Sequence, residues 1–162
     1  MVLASGRLRL RAAMLTLALF GLLASDAWAQ ASVGFTGGAS IDPDQGYVGV
    51  FWQSPAIGGT FHIRPGLDGG FGDHVRLGTI NIDFIYTIAI GQSPWKFVTG
   101  GGPAVVLINY SDEFLDAGTE VTAGGSYVFG FAHERGFFSE FRIGGGNTPS
   151  LKIGAGWAIR MR

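Results

Sequence analysis

The amino-acid sequence predicts an all-β protein, an up-and-down barrel of about eight antiparallel strands whose bulky apolar side chains face outward. Charged residues make up only 14% of the chain, against roughly 25% in soluble globular domains. Hydrophobic residues reach 47%, yet after the N-terminal region no apolar run approaches the ~18 residues of a membrane helix. Apolar residues instead alternate with small or polar ones, which is typical of strands with two distinct faces.

The N-terminus predicts an export signal. Three arginines precede the apolar stretch 14–24, and Ala27 and Ala29 supply the small residues that a signal peptidase reads. The apolar stretch is short for a membrane anchor. We therefore expect a cleavable signal peptide over 1–29 and a barrel domain over 30–162.

The rest of the sequence divides into strand-like segments separated by turns rich in glycine, proline and serine. In the fourth segment, which shows the pattern most clearly, Ile80, Ile82 and Phe84 alternate with Asn81 and Asp83. The sixth, seventh and eighth segments repeat the alternation with aromatic and aliphatic residues on one face. The predicted segments are 31–41, 46–53, 60–67, 74–90, 95–109, 119–132, 136–145 and 150–161.

The two faces of these segments indicate which side is inside. The second face is mostly glycine, alanine, serine and threonine with one or two charges per strand, which is a poor surface for water but fits a narrow barrel interior. The bulky face suits lipid, so the sequence predicts a transmembrane barrel. The alternative is a soluble, lipocalin-like periplasmic barrel that binds an apolar ligand, and its outer face should be densely charged.

The inner face carries ionisable residues that must pair, because an unpaired buried charge is very costly. An eight-stranded barrel has room inside for little more than side chains, which favours a plugged, salt-bridged interior over an open pore. The predicted interior charge network comprises Arg64, Asp83, Lys96, Glu140, Arg142, Lys152 and Arg160.

The connections predict an orientation in the membrane. Those after even-numbered segments are short, whereas the acidic connection 110–119 is longer, which matches short periplasmic turns and longer outer loops. Large aromatic residues gather near the short turns and the C-terminus. They predict an inner aromatic girdle of Trp52, Trp95, Phe131, Phe137 and Trp157.

The segments 95–107, 123–131 and 151–159 resemble strands of the small outer-membrane β-barrel proteins, the OmpA/OmpX-like outer membrane protein beta-barrel domain family. The resemblance implies a monomeric protein of the Gram-negative outer membrane, in contact with lipid, lipopolysaccharide and the barrel-assembly machinery, with a structural, adhesion or interaction role. The sequence departs from the family at its end, where Ile159 to Arg162 replace the usual terminal aromatic residue.

Chemical activity is not indicated. Some barrels of this size are lipid A deacylases or acyltransferases, and the deacylases carry a His and a Ser two residues apart on a late strand. The corresponding stretch 140–147 contains neither residue, so we expect no catalytic site, although a lipid A-modifying enzyme stays the alternative. The chain has no cysteine and a net charge of −1, and the spacing of its acidic residues fits neither an EF-hand nor a histidine metal site, so we expect no cofactor, metal or nucleic-acid partner. The side chains to which this expectation applies are His62, His74, His133, Ser139, Asp42, Asp44, Asp112, Glu113 and Asp116.

Overall fold

The structure is a computed structural model that describes residues 31–72, 75–110 and 119–161. Within these ranges no helix is long and apolar enough to cross a membrane. The described chain forms strands β1 (Ser32–Ile41), β2 (Gln45–Gln53), β3 (Phe61–Phe71), β4 (Val75–Ala89), β5 (Trp95–Tyr110), β6 (Thr119–His133), β7 (Phe137–Gly146) and β8 (Leu151–Arg160).

The eight strands form a closed barrel in chain order. Each strand pairs antiparallel with the next, and β8 returns to pair with β1 along its whole length, from Ser32 opposite Arg160 to Ile41 opposite Leu151. Closure gives every strand a partner on both sides and leaves no sheet edge to aggregate. The predicted antiparallel up-and-down barrel of eight strands is confirmed. The predicted signal peptide, with Ala27 and Ala29, lies outside the described residues.

The two ends of the barrel differ. We call proximal the rim that carries the connections 54–60, 90–94 and 134–136 and the first residue of β1. The distal rim carries the other four connections, of which 42–44 and 147–150 are described and short. Most of the predicted long loop at 110–119 lies outside the described residues.

The alternation within each strand has the predicted direction. On β4, Ile80, Ile82 and Phe84 are 44–49% exposed, whereas Asp83 and Ile85, on the alternate positions, are fully buried. Ile85 interrupts the polar face in the sequence, and the structure gives it a place in the apolar packing of the interior. The bulky face of the strands therefore points away from the lumen.

β3 is longer than its sequence pattern predicts. The sequence pattern predicts a strand over 60–67, but the strand continues through Gly69 and Gly70 to Phe71. Glycine has no side chain, so a glycine-rich strand does not show the alternation of apolar and polar residues by which a strand is predicted. Hydrogen bonds to the neighbouring strands still support it. The extension brings Asp68 onto the inner face, where it is 8% exposed.

Some inward-facing glycines bring neighbouring strands close together. Gly130 on β6 lies opposite Glu140 on β7, and a Cβ atom at Gly130 would lie 2.8 Å from the Glu140 Cα and still closer to the Ser139 carbonyl oxygen. Both contacts are with backbone, which cannot rotate away. By contrast, a Cβ atom at Gly145 on β7 would meet nothing within 4 Å.

We expect Gly130→Ala to lower the free energy of unfolding by about 1–3 kcal/mol, because the added methyl group forces a backbone shift. Gly145→Ala, the matched control, should change it by less than about 0.5 kcal/mol. Urea unfolding in lipid vesicles, followed by tryptophan fluorescence, measures both. Equal effects at the two positions would contradict this account of close strand approach.

Candidate functional site

Four charged side chains meet in the middle of the lumen, and we call them the charged ring. Arg64 on β3 and Asp83 on β4 are direct cross-strand neighbours. Glu140 and Arg142 lie two residues apart on β7 and so share its inner face. Because β7 is four strands away from β3 in the closed barrel, the ring joins opposite walls.

The ring is closed by ion pairs in which each guanidinium contacts both carboxylates. Arg142 holds Asp83 with two hydrogen bonds, Nη1 to Oδ1 at 3.2 Å and Nη2 to Oδ2 at 2.9 Å. Arg64 Nη1 lies 3.0 Å from Glu140 Oε2. Two longer contacts of 3.4 Å, from Arg64 Nη2 to Asp83 Oδ2 and from Arg142 Nη2 to Glu140 Oε1, complete the circuit. Two positive and two negative charges give the ring no net charge.

Neutral groups support the ring from three sides. Asn81 donates a hydrogen bond from Nδ2 to Asp83 Oδ2 at 3.2 Å, and Arg142 donates from Nη1 to Ser126 Oγ at 3.1 Å. The guanidinium carbon of Arg64 lies 4.9 Å from the ring centroid of Phe51, within the range of a cation–π contact. The side chain of Asp83 is only 1% exposed, so these bonds replace the water that the carboxylate gives up.

A second ion pair crosses the lumen on the distal side of the ring. Lys152 on β8 donates to Asp68 on β3 at 3.1 Å, and its ammonium lies 4.8 Å from the centroid of Tyr47 on β2. Both charged side chains are at most 10% exposed. The pair links β3 to β8, so β3 is connected across the lumen twice.

Of the charged residues predicted to face the interior, the structure brings Arg64, Asp83, Glu140 and Arg142 into one cluster. Lys152 pairs separately with Asp68, a partner that the sequence pattern did not indicate. Lys96 and Arg160 lie on inward positions of β5 and β8 at the proximal rim, where both are exposed. Among the described residues no acidic group lies within 4.0 Å of either, so the structure does not bring them into the ring.

Three inward residues were missed from the sequence. Asp68 is four residues after Arg64 and so shares its face, but the glycines around it resembled a loop. Tyr47 and Phe51 are bulky residues on a face expected to hold small ones. Tyr47 fits because it lies against Gly154, where a Cβ atom would collide with the phenol oxygen. A glycine one or two strands away from each of these inward residues, as Gly34 is from Phe51 and Gly49 from Asp68, is the signal that could have found them.

The ring separates two differently filled halves of the lumen. On the distal side Leu77 and Val106 are buried, Pro149 of the last turn is buried with them, and the cavity there measures only about 10 Å³. On the proximal side a cavity of about 560 Å³ opens at the rim, and we call it the vestibule. Arg64 and Glu140 of the ring form part of its lining.

The predicted aromatic girdle residues lie on outward positions in the proximal half of the barrel. Trp95 and Phe137 make an edge-to-face contact with their centroids 6.1 Å apart, and Trp157 pairs in register with Phe137. Phe97 and Phe131 make a similar contact at 5.6 Å. Trp52 is the outward residue nearest the end of β2. Their role at a membrane surface stays a prediction.

The histidines in the described residues are engaged with backbone. His62 donates from Nδ1 to the Ser54 carbonyl oxygen at 2.8 Å, while the Ser54 hydroxyl donates to Pro55 and accepts from Ile63. His133 Nδ1 accepts from the Arg135 amide at 3.1 Å. Within the described part of the chain no three His, Asp or Glu side chains cluster to hold a metal ion. His74 lies outside the described residues.

Comparison with known proteins identifies the fold. No family model matches the sequence, and no curated protein matches it either. Among solved structures, the chain is similar to the N-terminal β-barrel domain of Pseudomonas aeruginosa OprF, with 13% identity and a TM-score of 0.60 over 82% of this chain and 99% of that one. It is also similar to Neisserial surface protein A, with 12% identity and a TM-score of 0.59 over 81% and 94%. The chain therefore has the fold of the small eight-stranded barrels.

We expect Asp83→Asn to lower the free energy of unfolding by about 3–5 kcal/mol, because two buried guanidinium groups are left with one carboxylate. Asp44→Asn is the matched control, since Asp44 is exposed at the distal rim. Its effect should stay within about 0.5 kcal/mol. Urea midpoints and slopes in lipid vesicles measure both variants. An equal loss in both would show that the charged ring does not hold the barrel together.

Proposed function

We propose that this protein is an outer-membrane β-barrel with a structural, adhesion or interaction role and with an interior plugged by the charged ring. The observation that carries the proposal is the apolar outer face of the barrel. Each of the eight strands has at least one exposed large hydrophobic residue, such as Phe35 on β1 and Trp157 on β8. Because this apolar surface runs round the whole barrel, lipid is the partner that can cover all of it.

The scarcity of outward charge supports the same conclusion. On the described strands, Arg76 near the distal rim is the one Asp, Glu, Lys or Arg at an outward position. A soluble barrel of the lipocalin kind needs a charged exterior to stay monomeric in water. It would also turn its large apolar side chains inward, where this chain has an ion ring. The soluble alternative is therefore disfavoured.

The strand lengths also suit a membrane. The strands have between 9 and 16 residues. A strand of about 9–11 residues tilted by about 45° spans the hydrocarbon core of a bilayer. By the usual arrangement of such barrels, the short turns of the proximal rim face the periplasm and the aromatic girdle lies at the inner lipid surface. Lipopolysaccharide and the barrel-assembly machinery are the partners that this setting implies.

A plugged interior argues against a transport role. The charged ring spans the lumen at its middle, and the distal half beyond it holds a cavity too small for more than about one water molecule. The turn 147–150 covers part of the distal end of the lumen, because Thr148 donates to the Gly125 carbonyl oxygen at 2.9 Å and Pro149 is buried. We infer that binding through the outer face or the rims, rather than conduction, is the function of this barrel.

A lipid-modifying enzyme is the second candidate, and the charged ring does not support it. Its acidic groups are fully engaged with arginines, and the stretch 140–147 offers no histidine or serine as a base and nucleophile. Mass spectrometry of lipid A from cells with and without the protein tests the candidate. An altered acylation pattern would replace our proposal with an enzymatic one.

Fractionation of a Gram-negative host that expresses the full chain tests the membrane location. We expect the protein in the outer-membrane fraction, and we expect it to migrate differently on a gel before and after boiling, because a closed barrel resists detergent until it is heated. Recovery in the soluble periplasm would contradict the proposal and favour the lipocalin-like alternative.

A further inference from the structure

We propose that the vestibule is a binding site for a single-chain amphiphile with a carboxylate head, such as a medium-chain fatty acid. The inference goes beyond the proposed function, since it concerns the proximal half of the lumen and not the outer face. The volume of the vestibule, about 560 Å³, lies within the range of about 300–1,000 Å³ that is usual for small-molecule sites.

Small inward residues keep the vestibule open. In the proximal halves of β5, β6 and β8 the inner face carries Val98, Ala132 and Ala158, all of which line the cavity. In the distal half the inner space is filled instead by the buried side chains of Tyr47, Leu77 and Val106. The space therefore follows from which residues the sequence places on the inner face, and its walls are part apolar and part polar.

Aromatic rings close the inner end of the vestibule. Phe51 and Phe138 meet edge to face with centroids 5.5 Å apart, and both line the cavity beside the charged ring. The Arg64 guanidinium lies against Phe51 and is satisfied by Asp83 and Glu140. The deep end thus offers two aromatic rings beside charges that pair with one another, so no unpaired charge faces the tail of an amphiphile.

The mouth of the vestibule carries an excess of positive charge. Lys96 pairs in register with Ala89 and Ala132 at the proximal rim, and Arg160 pairs with Ser32. Both cations line the cavity and are exposed, and no described acidic group lies within 4.0 Å of either.

The other titratable groups of the lining leave the mouth with one net positive charge. Glu134 also lines the mouth and offsets one of the two cations. The histidines of the lining bond to backbone, His62 through Nδ1 to the Ser54 carbonyl oxygen and His133 through Nδ1 to the Arg135 amide. One net positive charge at the mouth of a cavity whose inner end carries two aromatic rings matches a monoanionic head above an apolar tail, and it disfavours a cationic amphiphile.

The absence of native cysteine allows a direct test with single-cysteine reporters. Ala132→Cys puts a thiol on the vestibule wall, Ala158→Cys is a second reporter, and Gln92→Cys in the exposed turn 90–94 is the control outside the lining. The protein is folded in nanodiscs, and the rate of modification by a small neutral methanethiosulfonate reagent is measured with increasing octanoate.

Octanoate at about ten times its dissociation constant should slow modification of both vestibule thiols about tenfold, because an occupied site excludes the reagent. Neither acetate, which lacks the tail, nor octylammonium, which reverses the charge, should protect. The Gln92→Cys thiol should be unaffected. Adding Lys96→Gln and Arg160→Gln should abolish protection while the heat-dependent gel shift shows that the barrel still folds.

Four results would overturn the proposal. Equal protection by octylammonium would mean that only the apolar tail is recognised. Protection that survives the loss of both cations would show that Lys96 and Arg160 do not bind the carboxylate head. Unreactive thiols at both vestibule positions, or no protection by octanoate, would mean that the cavity does not admit such a ligand.

Discussion

The narrow lumen of an eight-stranded barrel limits which residues can occupy the inner face of this chain. Eight strands enclose a space that inward side chains can nearly fill, so every residue on the inner face must either be small or meet a complementary partner from the far wall. The inner face meets this condition in three layers. Leu77, Val106 and Tyr47 fill the distal part, the charged ring crosses the middle, and small residues leave the proximal part open as the vestibule.

The charged ring satisfies the condition electrostatically. Removing a carboxylate from water costs several kcal/mol, by an order-of-magnitude estimate, and a single ion pair often fails to recover this. In the ring, each carboxylate faces two guanidinium groups, and Asp83 also accepts from Asn81, so the buried charge is shared among several partners. Since Arg64 and Arg142 come from opposite walls, the same contacts also fix which strands face each other. A one-residue slip of β7 would turn Glu140 and Arg142 outward, so the ring penalises wrong registers.

The sequence predicts the architecture well because period-two alternation is a local property. Ile80 to Ile90 and Leu151 to Met161 reveal two faces without any knowledge of their neighbours, and the composition of the faces tells which one is inside. The pattern fails where glycine replaces the apolar residues, which is why the end of β3 and Asp68 were missed. Pairing across the lumen is not local either. Lys96, Arg160 and Arg142 look alike in the alternation, yet only Arg142 finds two carboxylates, because that depends on depth along the barrel axis.

The orientation of the two faces toward lipid and lumen is the central claim, and site-directed spin labelling tests it most directly. Single cysteines at Ile82 and Ile88, both outward, and at Thr87, which lines the vestibule, would carry the label in a bilayer. We predict that labels at 82 and 88 collide with dissolved oxygen in lipid and are shielded from a water-soluble nickel chelate, while the label at 87 shows the opposite preference. A label at 87 that meets lipid, with labels at 82 and 88 in water or in a packed core, would contradict the account.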